Sequence, residues 1–166
     1  MGIETLKKTL GLVPLPQEGG FYAEAYRAPE KLASEHLPSR YTGERSLATA
    51  IYFLLTPDSF SAIHRLASDE IWHFYLGDPV QMLQLPEPGA GRIVMLGTDF
   101  DHGMRPQVVV PRGAWQGARL VPGGKFALLG ATVSPGFEFA DFELGGRELL
   151  LVAYPEFSAL IDALTR

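Results

Sequence analysis

The sequence predicts an all-β chain, a sandwich or barrel, with short helices only at its two ends. Two observations carry this. Strand-sized runs separated by glycine and proline recur roughly every eight to twelve residues from 46 to 134. Apolar residues at helical spacing are confined to 3–10 and 147–164, so no helices are interleaved with strands as a parallel sheet requires.

Taken in order, Ile3, Leu6 and Leu10 make one apolar stripe, and Gly11 stops the helix. Pro14, Pro16 and Gly19-Gly20 then form a stiff, turned connection. Residues 21–27, FYAEAYR, read as a strand with Tyr22, Glu24 and Tyr26 on one face. Residues 28–45 lack a pattern and read as a surface excursion. Residues 46–56 are β-rich and nearly all apolar, as expected of a strand covered on both faces. Further strands are expected at 80–85, 92–96, 107–110, 115–121 and 125–133, with a polar loop at 98–106. The tail reads as two helical pieces, 147–153 and 156–164, broken at Pro155.

At 166 residues, with 46% apolar and 20% charged residues, one soluble domain with a real core is expected. The net charge of −5 gives no basic footprint for nucleic acid, and no run of Lys and Arg suggests a membrane surface. There is no cysteine, which removes disulfides, thiolate metal sites and a Cys nucleophile, and fits a cytoplasmic protein. The first residues, MGIETLKKTLG, do not read as a signal peptide, and the longest apolar runs are too short to span a bilayer.

The most informative stretch is 61–79, SAIHRLASDEIWHFYLGDP. Read as two strands joined by Ala67-Ser68-Asp69, it is a hairpin with Leu66 opposite Glu70 and His64 opposite Trp72. His64, Leu66, Glu70, Trp72 and Phe74 then share one face, and Arg65, Ile71, His73 and Tyr75 the other. An imidazole and a carboxylate across such a pair lie within reach of one bound group.

That stretch resembles the first motif of the cupin superfamily: His-x-His, three or four residues, Glu, six residues, Gly. Here it reads His64-Arg65-Leu66, three residues, Glu70, six residues, Gly77. The second motif, Pro-x-Gly, two residues, His, three residues, Asn, is matched in spacing by Pro111-Arg112-Gly113, Gln116 and Leu120. Two of the four metal ligands of that pattern are replaced, by Leu66 and by Gln116, and Asp58 stands where a glycine is expected. More narrowly, the chain resembles the DUF985 (cupin-5) group through 19–27, 51–55, 61–79, 110–120 and 134–144. The resemblance implies a double-stranded β-helix (jelly-roll) barrel with helices at its ends, commonly a homodimer. Its fold is also similar to that of dTDP-sugar 3,5-epimerases, in which a pocket histidine acts as base without metal.

From these residues, His64 and Glu70 are the candidate catalytic groups, since an imidazole titrates near neutrality and a buried carboxylate must find a partner or take up a proton. Trp72 and Phe74 are candidates for an aromatic wall, Gln116 for a hydrogen bond to a substrate oxygen, and Arg27 and Arg45 for holding an anionic group at the mouth. Asp141 is a candidate to orient a histidine or a turn. His73 is expected under a helix or at a subunit interface, and His36 and His102 in exposed loops. No cofactor is expected: one imidazole, one carboxylate and one amide fall short of a stable zinc or iron site, leaving a loosely held divalent ion on His64, Glu70 and Gln116. The functions to weigh are a metal-free acid–base epimerase or isomerase acting on a sugar- or nucleotide-like small molecule, a metal-dependent cupin oxygenase or isomerase, and a non-catalytic ligand-binding sensor. The expected partners are that small-molecule ligand and a second copy of the chain, with Tyr75 or His73 near a homodimer interface.

Overall fold

The computed structural model describes residues 2–166. Helix α1 (Ile3–Leu10) is followed by strands β1 (Val13–Pro14), β2 (Phe21–Arg27), β3 (Lys31–Leu32), β4 (Arg45–Ser46), β5 (Thr49–Leu55), β6 (Phe60–Leu66) and β7 (Asp69–Gly77). Then come β8 (Val80–Leu85), β9 (Arg92–Leu96), β10 (Gln107–Val110), β11 (Trp115–Leu120), β12 (Ala127–Ser134) and β13 (Phe142–Leu144). Helices α2 (Arg147–Ala153) and α3 (Ser158–Leu164) end the chain, with a 3-10 turn at Pro155–Phe157 where the proline interrupts the helical run.

Two antiparallel sheets face each other in a jelly-roll. One has the order β1-β2-β5-β12-β7-β10, the other β13-β6-β11-β8-β9, and β3 and β4 form a small separate ribbon. Phe53, Leu55, Trp72, Met82, Leu96 and Leu129 fill the space between the sheets at one end. The terminal helices cover the sheet backs. Leu6 of α1 packs on Leu54 and Leu128, while Leu150 of α2 with Leu160, Ile161 and Leu164 of α3 covers Ile63, Leu83 and Leu85. Each fully buried Leu or Ile is worth roughly 1.5–3 kcal/mol of transfer free energy, so α2 and α3 are held by this apolar face. The expected two-sided cover of 46–56 is thus found at its C-terminal end: Phe53 and Leu55 point between the sheets, and Leu54 lies under α1.

Two expectations are corrected. The stretch 61–79 is not a hairpin. Strand β6 pairs with β11 and β13, and β7 pairs with β10 and β12, so the chain crosses from one sheet to the other at Ala67-Ser68. His64 therefore lies beside Gln116 and Leu144 in register, and His64 and Glu70 look at each other from opposite walls. A loop of small polar residues suits both a hairpin and such a corner; the distant strands that claim each edge decide between them. The segment 28–45 is only partly a surface excursion, because Tyr41 and Arg45 are buried and β3 pairs with β4.

Candidate functional site

Between the two sheets, at the end not filled by the core, lies a cavity of 520 Å³. Its sides are apolar: Leu15, Ile51, Ala131 and Val133 inside, with Leu10 at the end of α1 and Val13 of β1 closing over it. Tyr22, Phe137 and Phe139 supply aromatic surface, and Glu24, Arg27 and Glu138 supply charge. His64, Glu70 and a third titratable group, Glu18, form the buried polar part.

Each of these three is fixed by backbone far from it in sequence. Glu18 belongs to a turn in which Gly19 donates to the Leu15 carbonyl, and its own carbonyl accepts from the Ala62 amide of β6. This clamp brings Gly19 so near β6 that a Cβ would meet the Phe60 carbonyl oxygen at 2.5 Å, and its φ of +103° also favours glycine. The Glu18 carboxyl accepts a hydrogen bond from the Ser61 hydroxyl at 2.7 Å. Burial pushes Glu18 up to about 7 from an ordinary 4.5, against that hydrogen bond.

His64 is 1% exposed and stacks on Phe142 of β13 with ring centroids 5.0 Å apart. Its Nδ1 lies 2.8 Å from the Ala62 carbonyl oxygen. A carbonyl only accepts, so Nδ1 carries the proton, and Nε2 keeps its lone pair and faces Glu18 Oε2 at 4.0 Å. Burial outweighs the nearby Glu70 charge and lowers the imidazole below its usual range.

Glu70 enters from the other sheet. Its carboxyl accepts from the Gln116 side-chain amide at 2.5 Å, and the Gln116 oxygen in turn accepts from the Trp72 indole N–H at 2.8 Å. The indole can only donate, so the amide is locked with its NH₂ toward Glu70. Burial pushes Glu70 up to about 7 as well; the His64 interaction works against this, while the Glu18 charge adds to it.

Several sequence candidates stand elsewhere. Trp72 and Phe74 are not a cavity wall. Trp72 is 2% exposed and sits edge-on to Phe53 in the inter-sheet core, with Phe74 packed beside it, because β7 runs from the cavity end into the filled end. Gln116 lies behind Glu70 and spends its amide within the protein, leaving no face for a substrate. Arg27 does reach the cavity, but its guanidinium is held by Glu24, by Glu138 at 2.8 Å and by the Phe137 carbonyl. Arg45 lies outside the cavity in a two-pronged pair with Asp141 at 2.8 and 2.7 Å. That gives Asp141 its role: it neutralises Arg45, and it orients no histidine. Neither arginine has a free fork for an anion. His36 and His102 are exposed, as expected, and half-buried His73 bonds Thr132 and stacks on Tyr75 on the outer face of β7.

Glu18, Phe137, Phe139 and Glu138 had no periodic signal in the sequence. Glu18 is one carboxylate in a Pro/Gly turn, and 137–139 lie in the irregular link before β13. Only the pairing of Tyr22 and Glu24 on one strand face was legible.

The cupin metal positions, His64, Leu66, Glu70 and Gln116, do not make a fitting donor set. Leu66 has no donor, and Gln116 is consumed by Trp72 and Glu70. Among the described residues no group of three or more His, Asp or Glu is arranged to hold an ion. The two-imidazole-plus-carboxylate donor set of most zinc and iron sites is missing.

The chain matches the family model described as Cupin superfamily (DUF985) over residues 4–145. It is 32% identical to the uncharacterized protein YML079W of Saccharomyces cerevisiae, over 86% of this chain and 76% of the yeast protein. In structure it is similar to a hypothetical protein from Leishmania major, with TM-score 0.87 and 35% identity over 99% of both chains. It is also similar to protein SO0799 from Shewanella oneidensis, with TM-score 0.86 and 37% identity over 100% of this chain and 98% of that one. With its inter-sheet cavity and two cupin motifs, this chain belongs to the DUF985 family of the cupin superfamily.

Proposed function

We propose that the chain binds a ring-bearing, partly polar small molecule between its sheets and moves a proton on it without a metal. The observation that carries this reading is the set of Glu18, His64 and Glu70 in an apolar cavity, with the carboxyls raised to about 7 and the imidazole lowered. Environments that push an acid up and a base down leave, near neutral pH, a free base beside a protonated acid.

In this reading His64 Nε2 is the base: its lone pair is uncommitted while Nδ1–H is held by Ala62. A protonated Glu70 or Glu18 returns a proton from another direction, as an epimerisation or isomerisation needs, and the groups exchange roles for the reverse reaction. Glu70 is aimed by the Trp72–Gln116 pair, which makes Gln116 a positioning residue. Dry walls keep each proton transfer from leaking to solvent. The wall for a ring is Tyr22, Phe137 and Phe139.

The test is proton exchange. Pools of small neutral and amine-bearing ring compounds are incubated with the protein in ²H₂O and followed by NMR. Deuterium should enter a carbon position of the bound compound with wild type and not with His64→Gln. Binding without exchange would leave a capture domain and remove the catalytic part of the proposal. A metal arm is included. Protein equilibrated with manganese, iron or zinc and then desalted should keep well under one equivalent, and exchange that depends on added metal would overturn the metal-free mechanism.

A further inference from the structure

We propose that the ligand of this cavity is an amphiphilic amine, with its ammonium group seated between Glu18 and Glu70 and its apolar body along Ile51, Val133 and the aromatic residues. The inference rests on reading the cavity as the ligand site and names the chemical class that site selects.

The charges lining the cavity are four carboxyls, Glu18, Glu24, Glu70 and Glu138, against one guanidinium, Arg27. Arg27 is already shared by Glu24 and Glu138, so the mouth carries a surplus carboxylate and no free cation. Deeper in, Ser61 donates to Glu18 Oε1 and Gln116 to Glu70 Oε2, and the Trp72 indole N–H, which also favours the charged form of Glu70, is spent on Gln116. The second oxygens of the two carboxyls have no donor from a side chain of the protein. Among the described residues no side-chain polar atom is sealed from solvent without a partner, so those two oxygens open on the cavity. Two acceptors that share an apolar chamber and lack a counter-charge call for a donor that carries positive charge. A phosphate or carboxylate would meet carboxyls there and no free cation. A hydroxyl would satisfy one oxygen and neutralise nothing. An ammonium seated between them gives one N–H to the carboxyl that ionises and another to the carbonyl oxygen of its protonated partner, which keeps the proton that the proton-transfer reading returns, and His64 Nε2 is left for a proton on the neighbouring carbon. The walls then suit the rest of the molecule, since Tyr22 and Phe137 offer ring surface to an apolar or cationic group.

The probes are benzylamine, benzyl alcohol and benzoate, which share a ring and differ in the charge of the attached group. Calorimetry should rank benzylamine at least about tenfold tighter than benzyl alcohol, the worth of one charge-assisted hydrogen bond, with benzoate not binding. Glu18→Gln and Glu70→Gln should each weaken benzylamine about tenfold while leaving benzyl alcohol within about threefold. Ala131→Leu, checked for folding by its melting curve, fills the cavity and should abolish binding of every probe. Benzoate equal to or tighter than benzylamine, or no probe binding up to its solubility limit, overturns the amine inference. If benzylamine binds equally to wild type, the two glutamine variants and Ala131→Leu, the ligand lies elsewhere and the cavity reading itself fails.

Discussion

Two buried clusters of charged groups lie close together in the fold and are built on opposite plans. In one, Arg45 and Asp141 are 3% and 4% exposed in their side chains and face each other squarely, with the Nη1 hydrogens of the guanidinium given to the Gly43 and Glu44 carbonyls. Every charge there has its opposite. In the other, Glu18 and Glu70 are buried with hydrogen-bond donors but no cation, beside an imidazole that burial keeps neutral. The first arrangement ties the 28–45 segment to the link before β13 and has nothing left for a ligand. The second is incomplete as protein, and it opens on the cavity. Completeness separates the two clusters where burial does not, since both are buried.

Breaking the complete cluster should cost most. Asp141→Ala strands the Arg45 guanidinium in a buried place, and urea unfolding should show a loss of about 3–5 kcal/mol, most of it recovered when Arg45→Met is added. A loss below about 1 kcal/mol would show that the pair is solvated and that the contrast is false.

Neutralising the incomplete cluster should do the reverse. Glu18 and Glu70 hold protons more tightly folded than unfolded, so folding takes up protons between about 4.5 and about 7, and stability falls as pH rises through that window. Glu70→Gln should therefore stabilise the protein, by on the order of 3 kcal/mol well above pH 7, with the gain fading toward pH 5. His64 has the opposite sign: its folded value is lowered, so its contribution is lost as pH falls below the unfolded value of about 6.5. Melting curves of wild type and variant across this range check the sign. A destabilised Glu70→Gln at high pH would mean the carboxylate has a counter-charge after all.

Gln116 sharpens the contrast, because it couples the cavity to the core. Gln116→Leu removes the donor to Glu70 and orphans the Trp72 indole N–H, which should cost about 1–3 kcal/mol and move Glu70 further up. The smallest effect is expected on the outer face of β7. Tyr75 is 49% exposed there beside His73 and Tyr52. We propose this face as a homodimer contact: sedimentation should give a dimer at micromolar concentration and a monomer for Tyr75→Glu, with the cavity's ligand affinity unchanged. A monomeric wild type would refute the contact.

How much of this was legible follows from where each signal resides. The strands from β5 to β12 were readable because alternation and glycine or proline punctuation are local. His64 and Glu70 were readable because their spacing matches a known motif. The hairpin misreading of 61–79 carried Trp72 and Phe74 to the wrong wall, since sheet membership is set by β11, β12 and β13, far along the chain. Glu18 was invisible because its burial depends on the clamp to Ala62 and on Ser61. Arg27 and Arg45 looked like anion grips because a lone arginine in sequence does not reveal the carboxylate across the fold that neutralises it.

The central claim is that two carboxyls ionise near neutrality inside the cavity beside an imidazole that burial keeps neutral there, and it can be read directly. In protein labelled with ¹³C at the glutamate side-chain carboxyl, a titration from about pH 4 to about pH 9 follows each group, the apparent values belonging to the coupled pair. The account predicts two carboxyl resonances with midpoints near 7, one lost in Glu18→Gln and the other in Glu70→Gln, while the His64 ring is neutral at pH 7 with its proton on Nδ1 and charges only below its usual range. If every glutamate titrates within a unit of its ordinary 4.5, the cluster is solvated and the acid–base reading of this cavity is contradicted.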